Sequence, residues 1–291
     1  FGHYPQPENF SKIIWKKADI LNPEELWECM QDISVVYHCA GKVSFDPREK
    51  SKLFKTNVEG TANVVNAAVG RNVDKLLYVS SIAALGSEKW PNFITENSLR
   101  SDGRDHSDYS ESKYQAEFEV WRGMEEGLKA VIVNPGTILG SGNWHCGSSA
   151  LFDLCWKSFP FYTEGINGII GVQDLVACMI LLMKSNIHQE RYILIDKHYS
   201  YHDLMGEIAM KMGKRKPRYR FPKILDPFLW RMSTLWAAIS GKKPVITKYS
   251  SKIAREKQQF SMAKFNHALA YNFTHLEDSV AQAIEHYPPA Q

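Results

Sequence analysis

The sequence DYSESKYQAE, residues 108–117, places Tyr109 four residues before Lys113 at the start of a helix-forming run. On a helix, side chains at this spacing share one face. A phenol titrates near 10 in water, and a neighbouring ammonium stabilises its ionised form. We therefore predict that Lys113 lowers the pKa of Tyr109 and that Tyr109 serves as an acid/base group. The spacing alone also fits an ordinary surface helix, so the rest of the chain has to decide between the two.

Short apolar runs alternate with helical patterns on both sides of this stretch. Strands are predicted at Lys12–Asp19, Val35–Cys39, Lys75–Ser81, Ala130–Asn134 and Arg191–Ile195. Helices are predicted after the capping residue Asn22, at Lys52–Val69, from Tyr109 onward, and at Val172–Met183, Tyr201–Met212, Met262–Leu269 and Leu276–His286. This alternation indicates an α/β fold built on a doubly wound, Rossmann-like parallel sheet.

Polar and small residues follow several of the predicted strands. They are Asp19, residues 38–41, Ser80 and Ser81, and residues 134–136. Ligands of such sheets bind beyond the carboxyl ends of the strands. We therefore expect one site at this edge of the sheet.

Composition narrows the class of protein. The chain has 291 residues, 44% of them hydrophobic, which is enough for a substantial core. Its formal charge is only +3, so no nucleic-acid partner is expected. The basic run from Lys211 to Lys223 is a local exception. It fits a solvated surface or, alternatively, contact with phosphate or a membrane surface.

The cysteines and the hydropathy pattern indicate a reducing compartment. The 5 cysteines are odd in number and form no C-x-x-C pair, and we expect no metal site. No signal peptide or eighteen-residue apolar span is visible. The nearest approach to such a span, Pro227 to Ser240, is short and contains Arg231. We expect a cytoplasmic protein without an integral membrane span.

Seven motifs occur in the order of a known family. They are Asp19 at a strand end, HCAG at 38–41, TNVEGT at 56–61, YVSS at 78–81, YSESK at 109–113 with Glu117, NPGTILG at 134–140 and VQDLV at 172–176. In these motifs the chain resembles the extended short-chain dehydrogenase/reductase family, which includes NAD-dependent epimerases and dehydratases. The branch of 3β-hydroxysteroid dehydrogenases and dihydroflavonol reductases is the most similar.

The resemblance implies roles for particular residues. It implies catalysis by Tyr109, Lys113, Ser81 and Asn57, with NAD or NADP as the cofactor. Ser81 would bind the reacting oxygen, Asn57 would hold a water, and Asp19 would accept a hydrogen bond from adenine. The residues that the resemblance assigns to cofactor binding are Asp19, Ile20, Cys39, Ala40, Gly41, Ser80, Tyr109, Lys113, Asn134, Pro135, Gly136 and Thr137.

The resemblance also implies two interleaved domains. Residues 1–140 plus 165–198 would form the dinucleotide-binding domain, and residues 141–164 plus 199–291 a smaller, mostly helical substrate lobe. Aromatic residues in and near that lobe suggest a bulky, ring-containing substrate, although each one also fits plain core packing. They are Trp144, Phe152, Trp156, Phe159, Phe161, Tyr162, Phe228, Trp230 and Trp236. The family often dimerises, here through helices 52–69 and 109–126.

One family element has no counterpart in this sequence. The family begins with a strand, a glycine-rich turn and a helix that hold the cofactor pyrophosphate, and no G-x-x-G-x-x-G follows a strand here. We expect a natural protein longer by roughly forty residues, the size of such a unit, or a short form that binds no dinucleotide tightly. The leading functional hypothesis is a dehydrogenase/reductase for secondary alcohols or ketones. The alternatives are a nucleotide-sugar epimerase or dehydratase and a non-catalytic dinucleotide sensor.

Overall fold

The computed structural model describes residues 12–100, 106–141, 147–241, 244 and 246–285. The strands are β1 (Val35–His38), β2 (Lys75–Val79), β3 (Phe93–Ile94), β4 (Ala130–Pro135), β5 (Thr137–Leu139), β6 (Phe161–Tyr162), β7 (Ile166–Gly171), β8 (Glu190–Leu194), β9 (Lys197–Ser200), β10 (Tyr219–Arg220) and β11 (Gln259–Phe260). The helices are α1 (Pro23–Cys29), α2 (Lys50–Phe54), α3 (Gly60–Gly70), α4 (Asp108–Glu125), α5 (Ala150–Trp156), α6 (Val172–Lys184), α7 (Tyr201–Lys211), α8 (Asp226–Ser240), α9 (Lys248–Ile253), α10 (Ala263–Ala268) and α11 (Leu276–Ile284).

The central sheet has the order β1-β2-β4-β8, and every neighbouring pair is parallel. Successive side chains of a strand point to opposite faces. Leu76 and Ile132 accordingly pack with Val65 of α3 and Val120 of α4. Helices cover both faces, which confirms the predicted doubly wound α/β fold.

The opposite face of the sheet has its own core. Leu77, Val131 and Val133 pack there with Leu175 of α6 and Phe265 of α10. Strands buried on both faces read as continuous apolar runs. This is why β2 and β4 could be located from the sequence to within a residue or two.

Smaller sheets complete the structure. A three-stranded sheet has the order β5-β7-β9, and the pairs β3 with β11 and β6 with β10 are separate. A third core joins α5, α7 and α11 through Phe152, Leu204, Ile208 and Val280. Phe152, suggested as part of a substrate wall, is fully buried in this core.

The predicted strand at Lys12–Asp19 is wrong. The structure assigns residues 13–19 to no strand or helix, and Ile13, Ile14 and Trp15 are exposed. A strand needs a hydrogen-bonded partner. No described residue pairs with the outer edge of β1, where Val35 is also exposed.

The predicted helix at 52–69 is confirmed, but it contains an irregularity. α2 and α3 are joined by a π-helical segment, Lys55–Glu59, that contains the buried Asn57. Such segments widen the helix locally and frequently occur at functional sites. Among the described residues, no helix is long and apolar enough to cross a membrane.

Candidate functional site

The start of α4 positions two of the predicted catalytic residues. Ser107 caps the helix by accepting a hydrogen bond from the Ser110 amide at 2.9 Å. Arg100 donates to the Ser110 hydroxyl and to the Glu111 carboxylate, both at 3.0 Å. The Ser107 contact satisfies one of the amide groups that a helix end otherwise leaves without partners, and Arg100 anchors the side chains of the same turn. They hold Tyr109 at the first turn of α4.

Tyr109 meets Ser81 across the carboxyl end of the sheet. The Ser81 hydroxyl lies close enough to the Tyr109 phenol to act on its pKa, in the direction that lowers it. Ser81 follows β2, and its hydroxyl oxygen accepts from the Ala83 amide at 3.1 Å. The Ser81 carbonyl accepts from the Asn134 side chain at 2.9 Å. The structure therefore brings together two residues that the sequence placed in separate motifs.

The pKa of Tyr109 moves in the direction opposite to the prediction. Burial raises it, and the hydrogen bond with Ser81 opposes that rise. The Lys113 ammonium instead donates to the Val79 carbonyl at 2.8 Å and lies 4.3 Å from the centre of the Tyr78 ring. The predicted lowering by Lys113 is wrong for this structure because the ammonium is engaged by the strand end and the phenol is buried.

Lys113 is itself perturbed. Burial lowers its pKa to about 8, although Glu117 and Cys39 act in the opposite direction. Taking a charged group out of water disfavours its charged form. Lys113 is therefore a buried amine whose charge changes within a unit or so of neutral pH.

Asn57 lies at the centre of a buried hydrogen-bond network. Its side-chain oxygen accepts from the Lys42 amide at 2.7 Å, and its NH₂ group donates to the Lys42 carbonyl at 2.9 Å and to the Ser112 hydroxyl at 2.8 Å. Ser112 in turn donates to the Tyr109 carbonyl at 2.8 Å. Asn57 thus connects the loop after β1 to the helix that carries Tyr109 and Lys113.

The turn after β1 borders the same cluster. Cys39, Ala40 and Gly41 are exposed, and a Cβ atom added to Gly41 would lie 3.6 Å from the Asn57 side-chain oxygen and 3.7 Å from the Lys113 ammonium. These are ordinary contact distances, so the protein itself does not require glycine here. The exposed turn and the adjacent buried ammonium of Lys113 are complementary to the polar ribose end of a dinucleotide.

Asp19 and Ile20 make local contacts. Asp19 is exposed, and its carboxylate accepts from the Leu21 amide at 2.9 Å. Ile20 lies against α3, where a Cβ on Gly60 would approach it to 3.0 Å. The Ile20 carbonyl also accepts from the Asn63 side chain of α3 at 3.2 Å, so Ile20 lies next to α3.

Residues 134–137 connect the central sheet to the three-stranded sheet. A Cβ on Gly136 would approach the Gly168 carbonyl oxygen to 2.4 Å, so this backbone contact requires glycine. Pro135 ends β4, and Thr137 begins β5 and accepts from Asn167 at 3.3 Å. Gly136 and Thr137 are therefore engaged by β7 in this structure.

The buried carboxylate of Glu117 accepts hydrogen bonds from three side chains near the end of β2, and no local sequence pattern indicates these contacts. Glu117 accepts from the Ser80 hydroxyl at 2.5 Å, from the Asn134 side chain at 2.7 Å and from Arg191 at 3.0 Å. Ser80 and Asn134, predicted to bind cofactor, direct these groups into the protein. The YSESK-to-Glu117 spacing was the only signal, and it could not identify Arg191 as the partner.

Two aromatic residues near Tyr109 were also missed. The Phe45 ring lies edge-on to Tyr109 with 5.9 Å between centroids, and it stacks on Tyr249 of α9 at 5.6 Å. Trp144 of the suggested substrate wall lies outside the described residues. The apolar surface beside the phenol therefore comes from a loop residue and a helix residue that are distant in sequence.

The comparison with protein families agrees with this geometry. Residues 3–154 match the model of the NAD-dependent epimerase/dehydratase family. The chain belongs to this family. It is accordingly an NAD(P)-dependent dehydrogenase/reductase or epimerase with a Rossmann-like fold.

Individual relatives are distant. The chain is 25% identical over 295 residues to 3beta-hydroxysteroid-dehydrogenase/decarboxylase isoform 1 of Arabidopsis thaliana, covering 95% of this chain and 67% of that protein. It is 26% identical over 232 residues to cinnamoyl-CoA reductase 1 of Petunia hybrida, covering 76% and 68%. Among solved structures, gox2253 superposes with a TM-score of 0.78 and 27% identity, covering 93% of this chain and 83% of that one.

Proposed function

We propose that this member of the epimerase/dehydratase family is a dehydrogenase/reductase that interconverts a secondary alcohol and its ketone, with Tyr109 as the acid/base group. The observation that carries the proposal is that the Ser81 and Tyr109 side chains approach each other at the carboxyl end of the sheet, next to the buried Lys113. A shared oxygen-binding point accounts for two hydroxyls from separate elements lying close together at the carboxyl end of the sheet.

The proton chemistry follows from the contacts of Ser81. Its oxygen already accepts from the Ala83 amide at 3.1 Å, so its single O–H is left to donate toward Tyr109 or the substrate oxygen. That oxygen would lie between the two hydroxyls. Tyr109 would donate its proton there during reduction and remove it during oxidation.

The cofactor would be NAD or NADP. When bound, it supplies or accepts the hydride. Lys113 and the exposed turn at Ala40–Gly41 would hold its ribose end, with Asn57 keeping the turn and α4 in register. Cys39, Asp19 and Ile20 would border the same cofactor, and residues 134–137 would close its other side.

The substrate would be apolar and ring-containing. Phe45 and Tyr249 supply an aromatic surface beside the Tyr109 ring. An apolar surface with few convergent polar groups is typical of small-molecule sites. Two relatives carry the names of a hydroxysteroid dehydrogenase and a cinnamoyl-CoA reductase, in line with such substrates.

Three broader features belong to the same proposal. Residues 1–140 plus 165–198 would bind the dinucleotide, and residues 141–164 plus 199–291 would close over the substrate. The protein would act in the cytoplasm. It would dimerise through the helices at 52–69 and 109–126, where Phe118 exposes its ring on α4.

The experiment incubates the full-length protein with NAD or NADP and a panel of secondary alcohols, and with the reduced forms and the matching ketones. A reductase changes the absorbance of the reduced nicotinamide in proportion to product. Conversion of a nucleotide sugar without net absorbance change would support the epimerase alternative. Dinucleotide binding without turnover of either panel would contradict the proposal and support a sensor.

A further inference from the structure

Helix α8 exposes a continuous apolar face. Phe228, Trp236 and Ile239 are 62%, 67% and 73% exposed, and Met232 and Leu235 are also exposed. These positions recur at the spacing of one helical face. Ile224, just before the helix, is 86% exposed. Contiguous apolar patches of this kind on a protein surface mark interaction sites.

The opposite face of α8 is fixed to the rest of the protein. Ala237 is buried, and the Ser233 hydroxyl accepts from the Ile246 amide at 3.0 Å. Arg255 forms an ion pair with Asp226 at the first turn, donating to its carboxylate at 2.7 Å. Because α8 also contacts α9, it is anchored, and its apolar face points outward in one orientation.

Exposed cations immediately precede this face. Arg215, Lys216, Arg218 and Lys223 are all exposed, and the helix begins three residues after Lys223. The one acidic residue between 211 and 241, Asp226, is neutralised by Arg255. An apolar helical face flanked by exposed cations is complementary to an anionic, apolar partner.

We propose that α8 and the preceding basic segment dock onto an anionic lipid surface, with α8 lying in the plane of the interface. An amphipathic helix binds in this way when its apolar face enters the headgroup region and nearby cations meet anionic lipids. The 15-residue helix is too short to span a bilayer, which needs about 20 residues. A second protein copy would bury the apolar face, but it would place two basic segments of the same sign near each other.

Docking would bring lipid close to the proposed catalytic site, a consequence that rests on the proposed function. α8 packs against α9, Tyr249 of α9 stacks on Phe45, and Phe45 contacts Tyr109. The aromatic surface beside the phenol is thus one helix away from the docking face. A substrate dissolved in the membrane would enter from that side.

Vesicle sedimentation tests the docking itself and needs no turnover. The full-length protein is mixed with phosphatidylcholine vesicles with and without phosphatidylglycerol. We expect binding to the anionic vesicles, at least tenfold weaker binding to phosphatidylcholine alone, and loss of binding in high salt. Equal binding to both vesicle types, or no binding, would overturn the proposal, whereas the proposed catalysis would stand on its own assay.

Matched variants separate the two contributions. Trp236→Ser should weaken binding at least tenfold, whereas Trp90→Ser, at a partly exposed tryptophan elsewhere, should not. The double variant Arg215→Glu with Lys216→Glu should weaken it similarly, and Lys16→Glu with Lys17→Glu should leave it unchanged. Circular dichroism verifies that each variant is folded, and Phe228→Ser is a second test of the face. Unchanged binding by the α8 variants, or a dimer that Trp236→Ser dissociates without any vesicle binding, would refute docking.

Discussion

The side chain of Asn57 donates a 2.8 Å hydrogen bond to the Ser112 hydroxyl and so ties the π-helical segment to the helix of Tyr109. Asn57 is 1% exposed, and both of its polar atoms are engaged. Asn57 therefore stabilises the folded protein through its hydrogen bonds, in addition to the water-binding role that the resemblance implies.

Asn57→Leu should therefore destabilise the fold. The substitution removes the Asn57 side chain as a hydrogen-bond partner of the Lys42 amide, the Lys42 carbonyl and the Ser112 hydroxyl. Each polar group that loses its partner in a buried site lowers the free energy of unfolding by about 1–3 kcal/mol. We expect the free energy of unfolding to fall by about 2 kcal/mol or more in chemical denaturation. Asn66→Leu, at an exposed position of α3, should change it by about 0.5 kcal/mol or less. Equal losses in both variants would show that the network contributes little.

Tyr109→Phe should remove most turnover without unfolding the protein. The variant keeps the ring that packs on Phe45 and loses the hydroxyl that meets Ser81. Acid/base groups of this kind contribute about a hundredfold to ten-thousandfold in rate. Steady-state kcat should decrease by a factor in that range. The dinucleotide Kd should stay within about threefold of the parental value, because removing an interaction made only in the transition state leaves ground-state binding unchanged.

Tyr114→Phe is the matched control, because Tyr114 lies on the same helix and its ring packs on Arg100. Its turnover should remain close to that of the parent. If Tyr109→Phe turned over like the parent, the assignment of the acid/base group would be incorrect.

Gly41→Ala should leave stability nearly unchanged and weaken dinucleotide binding. The added Cβ meets only Asn57 and Lys113, at 3.6 Å and 3.7 Å, so the folded protein accommodates it. It would, however, occupy the open turn where the cofactor is proposed to lie. Calorimetric titration should show at least a tenfold increase in Kd for the dinucleotide.

Gly206→Ala provides the comparison for this prediction, since its added Cβ would meet only the Lys216 side chain at 3.8 Å. That variant should bind dinucleotide like the parent. If the Gly41→Ala protein bound dinucleotide with parental affinity, the cofactor would not lie against this turn.

The sequence predicted the central sheet because its two middle strands, β2 and β4, are buried on both faces and because helix α1 has a clear cap. Leu76 to Val79 and Val131 to Val133 are apolar without interruption, and Asn22 caps α1 as predicted. The motifs also predicted that Ser81 and Tyr109 lie near each other, as they do in the structure, because strand ends of a parallel sheet share one edge.

Other features depend on contacts that no local pattern encodes. The direction in which the pKa of Tyr109 is shifted depends on the burial of the phenol and on the position of the Lys113 amine, and both are tertiary properties. The partners of Glu117 come from three separate strands or strand ends. Phe45 and Tyr249 are single aromatics in unrelated segments, so periodicity could not pair them. The strand predicted at Lys12–Asp19 had the composition of a strand but no described partner.

His38 should make the stability depend on pH in the acidic range. It is buried, contacts the Thr61 hydroxyl at 2.9 Å and stacks on Tyr78 with 5.1 Å between centroids. Burial, together with the nearby charge of Lys113, lowers its pKa to about 3 from an ordinary 6.5. Between these two values the unfolded chain binds a proton at His38 that the folded protein does not. The contribution of His38 to stability therefore falls as the pH decreases below about 6.5, by up to about 1.4 kcal/mol per pH unit.

His38→Gln should remove this contribution. The free energy of unfolding of this variant at pH 7 will be lower than that of the parent. The slope of that free energy against pH between about 4 and 6 should be shallower than in the parent by up to about 1.4 kcal/mol per pH unit. Chemical denaturation at several pH values measures both quantities. A His38→Gln curve with the parental slope would mean that His38 already carries its proton in the folded state, contrary to its burial against Tyr78.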